Sequence, residues 1–203
     1  MLLSLTGASG VGKSTVLSRL QRIDWGVPVD SVEFDSIGVP AGADTAWRHH
    51  AVERWVQYAI RRQDEGVDVL LCGQVPYGEL LAAPSASLLD GVAACVLHCS
   101  PEERAARLRA RGEPEEGLIH HLRFGEWFLA HSLDPRAEPE VIRIDSGAPM
   151  EWARWDTWSK GDPRWAPRII DTDEMAPSAV AAEVLAWARE ELVHRSSRRS
   201  SGG

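Results

Sequence analysis

The chain's 203 residues suffice for one well-buried α/β domain, and its net charge of −8 argues against a general nucleic-acid binder, since phosphate backbones attract basic surfaces. No apolar run approaches the roughly 18 residues a membrane span requires, and the chain opens on a strand-like run without a charged leader, so a cytoplasmic location is expected. Cys72, Cys95 and Cys99 are odd in number, lie in apolar runs and lack C-x-x-C spacing, so they read as reduced core residues rather than disulfides or metal ligands.

Leu2-Leu3-Ser4-Leu5 is a short buried strand, and Val16, Leu17 and Leu20 fall at helical spacing. Between them stands Gly7-Ala8-Ser9-Gly10-Val11-Gly12-Lys13-Ser14-Thr15, which meets every fixed position of G-x-x-x-x-G-K-[ST]. Such a loop curls so that successive N–H groups and a helix N-terminus face phosphate oxygens. Lys13 is then expected to reach the β- and γ-phosphates of a nucleoside triphosphate, and the Ser14 hydroxyl to ligate Mg²⁺. Only Lys13 and Lys160 are lysines in a chain otherwise supplied with arginine, so arginine abundance alone says little about phosphate sites.

Val27–Phe34 is the next strand candidate. Trp47, Ala51, Val52, Trp55, Val56 and Ala59 recur at three- and four-residue spacing, predicting an amphipathic helix over residues 44–65 that ends at Gly66. Val67–Cys72 and Val92–Cys99 are buried strands. Ser100-Pro101-Glu102-Glu103 gives a capping box, with proline at the first helical position, for a helix to about Arg111. A further helix is expected from Glu115 to His131, a last strand at Arg168–Asp171, and a final helix marked by Val180, Val184, Ala188 and Leu192. This alternation argues for a parallel sheet covered on both faces. Residues 1–194 are expected to form one domain, with 113–166 as a lid or insertion and 195–203, which hold no apolar residue, as a disordered tail.

GASGVGKST, the strand-end segment Phe34-Asp35-Ser36-Ile37-Gly38, Gly73-Gln74, the RAARLRARG run Arg104–Gly112, and Asp171-Thr172 together resemble the kinase branch of the P-loop NTPases. That branch holds nucleoside monophosphate kinases and small-metabolite kinases such as shikimate kinase, gluconate kinase and chloramphenicol phosphotransferase. The resemblance implies a three-layer α/β/α fold around a five-stranded parallel sheet, an extended helical lid insertion, an acid at the end of the second strand acting on the acceptor hydroxyl, and a mobile lid of arginines.

Asp35 closes an apolar strand at the carboxyl edge of the sheet, where ligands collect in open α/β folds. A carboxylate there accepts the acceptor's proton or holds a Mg²⁺-bound water, although Asp also often caps a turn. Arg104, Arg107 and Arg111 share one helical face and are expected at the phosphates, Arg104 beside the nucleotide, Arg107 and Arg111 in catalysis. Gln74 follows a strand at the same edge and is a candidate acceptor contact, and Thr172 a candidate nucleotide contact. Two departures stand out. The third strand ends Leu71-Cys72-Gly73-Gln74 without the usual acid, and residues 113–166 hold five of the nine tryptophans. Those indoles read as a subdomain core with one or two facing the site.

The expected activity is transfer of the γ-phosphoryl group of ATP, with Mg²⁺, to a hydroxyl of a small metabolite or antibiotic-like acceptor, without nucleic-acid or membrane partners. Nothing in the sequence bears on oligomeric state. A nucleoside or nucleotide kinase is the near alternative, and a non-catalytic nucleotide-binding regulator is kept open by the missing acid. A GTPase switch is disfavoured because no N-K-x-D guanine motif occurs.

Overall fold

The computed structural model describes residues 1–201, with side chains described as far as Arg195. Five parallel strands, β1 (Leu2–Thr6), β2 (Val29–Glu33), β3 (Asp68–Cys72), β4 (Val92–His98) and β5 (Arg168–Asp171), lie in the order β2-β3-β1-β4-β5. The central strand β1 pairs Leu3 with Leu70 on one side and with Ala93 on the other. Period-two alternation sorts its side chains between two cores. Leu3 and Leu5 join Leu70, Cys72, Cys95 and Leu97 beneath α1 (Lys13–Leu20) and α6 (Pro177–Ser201). Leu2, Val69 and Leu71 face α2 (Thr45–Asp64), and Ala94 and Val96 face the tryptophan-rich segment. The result is the three-layer arrangement that strand–helix alternation implies.

The helix boundaries have local causes. Asp44 accepts a hydrogen bond from Trp47 N at 2.9 Å and starts α2, whose buried face holds Ala51, Val52, Trp55, Val56 and Ala59. Ser100 caps α4 (Pro101–Ala110) by accepting from Glu103 N, with Pro101 at a position that needs no N–H. Strand β2 is shorter than Val27–Phe34, because at Phe34 the chain leaves the sheet for a 3₁₀ turn, Phe34–Ile37. The short helix α3 (Tyr77–Ala82) carries no periodic signal long enough to read. Helix α6 continues to Ser201, into the tail expected to be disordered, whereas Gly202 and Gly203 lie outside the described residues.

Residues 113–166 form a packed layer: their tryptophans make a core, as expected, and none of them lines the cavities around the Gly7–Thr15 loop, which corrects the expectation of one or two facing the site. Helix α5 (Glu115–Leu133) and the following turns bring Trp127, Trp155 and Trp165 into one cluster with Tyr77, Ala94, Val96, Phe128 and Ile142. Each of these three indoles also donates to a backbone carbonyl: Trp127 to Glu138, Trp155 to Gly78 and Trp165 to Ser132, at 2.9–3.0 Å. The polar edge of each ring is thereby satisfied as its body is buried. His131 sits among them, stacked on Trp127 at 5.1 Å, and burial lowers its pKa to about 4.

All three cysteines are free and buried, as expected. Among the described residues no helix is long and apolar enough to cross a membrane.

Candidate active site

The loop between β1 and α1 lies at the carboxyl edge of the sheet, where β1 is flanked by β3 and β4. Gly7 has φ 140°, and a Cβ there would stand 2.4 Å from Leu97 O, so the loop leaves the strand through a conformation and a space that only glycine fits. Ala8 and Val11 are buried within the loop. Lys13 is folded back across the loop, donating from Nζ to Ala8 O at 2.9 Å. Burial, with smaller contributions from Arg111 and Arg104, lowers its pKa to about 8 despite the opposing pull of Asp35. Ser14 and Thr15 are exposed at the start of α1.

Three cavities meet around this loop. The largest, about 560 Å³, is lined by Ser9, Lys13, Ser14, Asp35, Gln74 and Arg111 on the loop side. Its far wall holds Glu33, Phe34, Asp44, Trp47, Arg48 and Phe124. A second, about 530 Å³, runs along Gly10, Gly12, Lys13, Ser14 and Thr15 to Arg107 and Arg111. A third, about 340 Å³, lies between Val11, Thr15, Thr172, Met175 and Val180, again with Arg107. The first two share Lys13, Ser14 and Arg111, and the last two share Arg107.

Asp35 and Gln74 line the first cavity as expected, and Gln74 Oε1 accepts from Ser9 Oγ at 3.0 Å. Gly73 explains the turn that carries Asp35, because a Cβ at Gly73 would fall 2.3 Å from Phe34 Cβ. Any side chain at position 73 would therefore collide with the start of the Phe34–Ile37 turn. Ser14 and Asp35 can still supply a hydroxyl and a carboxylate to Mg²⁺, an ion commonly held by one or two carboxylates with phosphate and water oxygens completing the shell. Among the described residues no three His, Cys, Asp or Glu side chains gather into a metal cage.

The three arginines separate, because their shared helical face changes depth along α4. Arg104 is 1 % exposed and does not reach the cavities, which corrects its expected nucleotide contact. Its Nη2 donates to Cys99 O at 3.2 Å, its Nη1 lies over Gly125 of α5, and Nε and Nη1 have no partner among the described residues. Arg107 is drawn toward the third cavity: Nη1 donates to Thr172 Oγ1 at 3.0 Å, Nη2 to Thr172 O at 3.2 Å, and Nε to Glu103. Arg107 also lines the second cavity, beside Gly12, Lys13 and Ser14. Thr172 itself is buried and donates to His98 O, so it shapes the third cavity through this network. Arg111 is the arginine shared by the first and second cavities. Sequence reasoning missed Glu33, Asp44, Trp47, Arg48 and Phe124 as lining residues; Trp47 was read only as part of a helix face.

A family model described as an AAA domain matches residues 4–121, more than half of the chain and the whole of the loop just described. The chain belongs to that family. No curated protein matches it. Solved structures with the same fold include a Janibacter sugar kinase, 15% identical, with a TM-score of 0.57, covering 92% of this chain and 93% of that one. The Mycobacterium tuberculosis APS kinase in complex with AMPPNP and APS is 20% identical, with a TM-score of 0.54 and coverage of 91% and 95%. A gluconokinase from Sinorhizobium meliloti is 17% identical, with a TM-score of 0.53 and coverage of 96% of each chain. At these identities the likeness establishes the fold of the P-loop small-molecule kinases, a five-stranded parallel sheet between helical layers.

Proposed function

We propose that the protein transfers the γ-phosphoryl group of ATP to a hydroxyl of a small metabolite or antibiotic-like acceptor. The observation that carries this reading is the junction at Lys13, Ser14 and Arg111, which line both the cavity along the Gly10–Thr15 loop and a second cavity with its own carboxylate, Asp35, and amide, Gln74. A nucleotide-binding regulator needs the phosphate cavity alone. Phosphoryl transfer depends mainly on positioning and on charge stabilisation, and the residues at the junction match those demands. Mg²⁺, when bound, would neutralise charge on the phosphate oxygens. Lys13 binds the phosphates, Arg111 faces the boundary between donor and acceptor, and Asp35 orients the hydroxyl and takes its proton. Gln74, fixed by Ser9, holds the acceptor from the β3 side. Phe34, Trp47 and Phe124 exclude water from the acceptor cavity.

The test is ADP release measured against a library of hydroxyl-bearing metabolites and antibiotics, with mass spectrometry of the products. Acceptor-dependent ADP release with a phosphorylated product is expected. ATP binding without turnover on any acceptor would favour the regulator.

A further inference from the structure

The acceptor cavity has an uneven charge arrangement. Its cationic lining residues are Lys13, Arg111 and Arg48. Lys13 and Arg111 also line the phosphate cavity and are committed to the nucleotide in the reading above. Arg48 is not a free cation. Its Nε lies 2.8 and 3.0 Å from the two carboxylate oxygens of Glu79, and its Nη2 donates to Oε1 at 2.6 Å. Glu79, on α3 behind the cavity wall, is wholly buried, and His49 Nε2 lies 3.4 Å from the same Oε1. Burial opposes ionisation of Glu79, but Arg48 and His49 outweigh it and hold the carboxyl below its usual range, so the pair is ionised and internally neutral.

Three carboxylates, Glu33, Asp35 and Asp44, line the same cavity and have no ion pair among the described residues. Even with Asp35 engaged on the reacting hydroxyl or a metal-bound water, Glu33 and Asp44 remain. The same lining holds Phe34 and Trp47, edge to face at 5.8 Å, and Phe124. An anionic acceptor group would meet like charges and no uncompensated cation, whereas an ammonium would meet carboxylates and ring faces.

We propose that Glu79 sets acceptor specificity by neutralising Arg48, so that the cavity takes amine-bearing hydroxyl compounds and rejects acceptors carrying a carboxylate or phosphate. This rests on the phosphotransfer reading and narrows it, since it excludes sugar acids and nucleoside monophosphates as acceptors. Glu79 acts as a positioning residue through Arg48 and lies outside the lining of the cavity.

The experiment is a ligand-observed NMR titration of the protein loaded with a non-hydrolysable ATP analogue and Mg²⁺, at pH 7, using benzylamine, benzyl alcohol and benzoate as shape-matched probes. Benzylammonium should bind tightest and benzoate at least about tenfold more weakly, the scale expected for a charge reversal beside two partly solvated carboxylates. Glu79→Gln keeps the hydrogen bond to Arg48 but frees its charge, so benzoate should gain about fivefold or more while affinity for the ATP analogue is unchanged. Benzoate binding to the wild type as well as benzylammonium, equal affinities for all three probes, or no binding of any would each overturn the proposal. If Glu79→Gln does not fold, the wild-type order alone decides. Loss of analogue binding in the loading step would sink the phosphotransfer reading, whereas benzoate preference with normal loading sinks only this inference.

Discussion

His131 makes the packing of the tryptophan layer measurable. Its ring is 1 % exposed, stacked on Trp127 and edge-on to Trp155 and Trp165, with Nδ1 3.3 Å from Ala137 O. Burial lowers its pKa from 6.5 to about 4, with only partial relief from the Ala137 carbonyl. In the unfolded chain the ring takes a proton below about pH 6.5, and in the folded protein only below about pH 4. Between these values the unfolded state binds more protons, so stability present at neutral pH is lost as pH falls through this window. Linkage with these two constants gives a loss of about 2 kcal/mol between pH 7 and pH 5. Burial likewise lowers the His98 pKa, and carboxylates add their own dependence, so the assay is a difference. Urea unfolding of the wild type and of His131→Phe is followed at pH 7 and pH 5. The variant should lose about 2 kcal/mol less than the wild type over that interval, whatever its absolute stability. Parallel pH dependences would refute the reasoning, and with it the view of residues 113–166 as a fixed layer.

Lys13→Met should weaken ATP binding about 10- to 100-fold, the loss of a charge-assisted contact, with circular dichroism unchanged, as calorimetry can verify. Asp35→Asn should leave ATP affinity nearly intact and lower kcat by roughly 10²–10⁴, the reach of general-base catalysis; a fall in ATP affinity that accounts for the whole loss would make Asp35 a metal or structural residue instead. Arg111→Ala and Arg107→Ala should separate in steady-state kinetics. The first should act mainly on kcat because Arg111 lies at the cavity junction, and the second mainly on KM for ATP because Arg107 is tied to Thr172 on the base side. Equal effects of both would show that the helix moves as a unit.

Much of this arrangement is legible in the sequence, because period and punctuation are local properties. The loop at Gly7–Thr15, the cap at Ser100-Pro101 and the buried face of α2 each follow from a few adjacent residues, and the structure has all three. What escaped depends on depth and on distant partners. Helical spacing puts Arg104, Arg107 and Arg111 on one face, but α5 covers only the first turn of that face, at Gly125, and this leaves Arg104 buried and Arg111 open. The sequence shows that Leu71-Cys72-Gly73-Gln74 lacks an acid, but not that Gly73 is where the turn carrying Asp35 packs. Arg48 and Glu79 are 31 residues apart, and neither has a local signal of the other. The clustered tryptophans showed that a core existed and gave no hint that Phe124, not an indole of that segment, would line the acceptor cavity.

The most direct measurement follows the label of γ-labelled ATP in single turnover, with a pooled small-molecule metabolite fraction as acceptor, for the wild type and for Asp35→Asn. The account predicts that wild-type protein moves the label onto an organic hydroxyl, faster than any release of inorganic phosphate, and that Asp35→Asn binds the same ATP but transfers it at least about a hundredfold more slowly. Label appearing only as inorganic phosphate, or retained in ATP on a fully loaded wild-type protein, would contradict it.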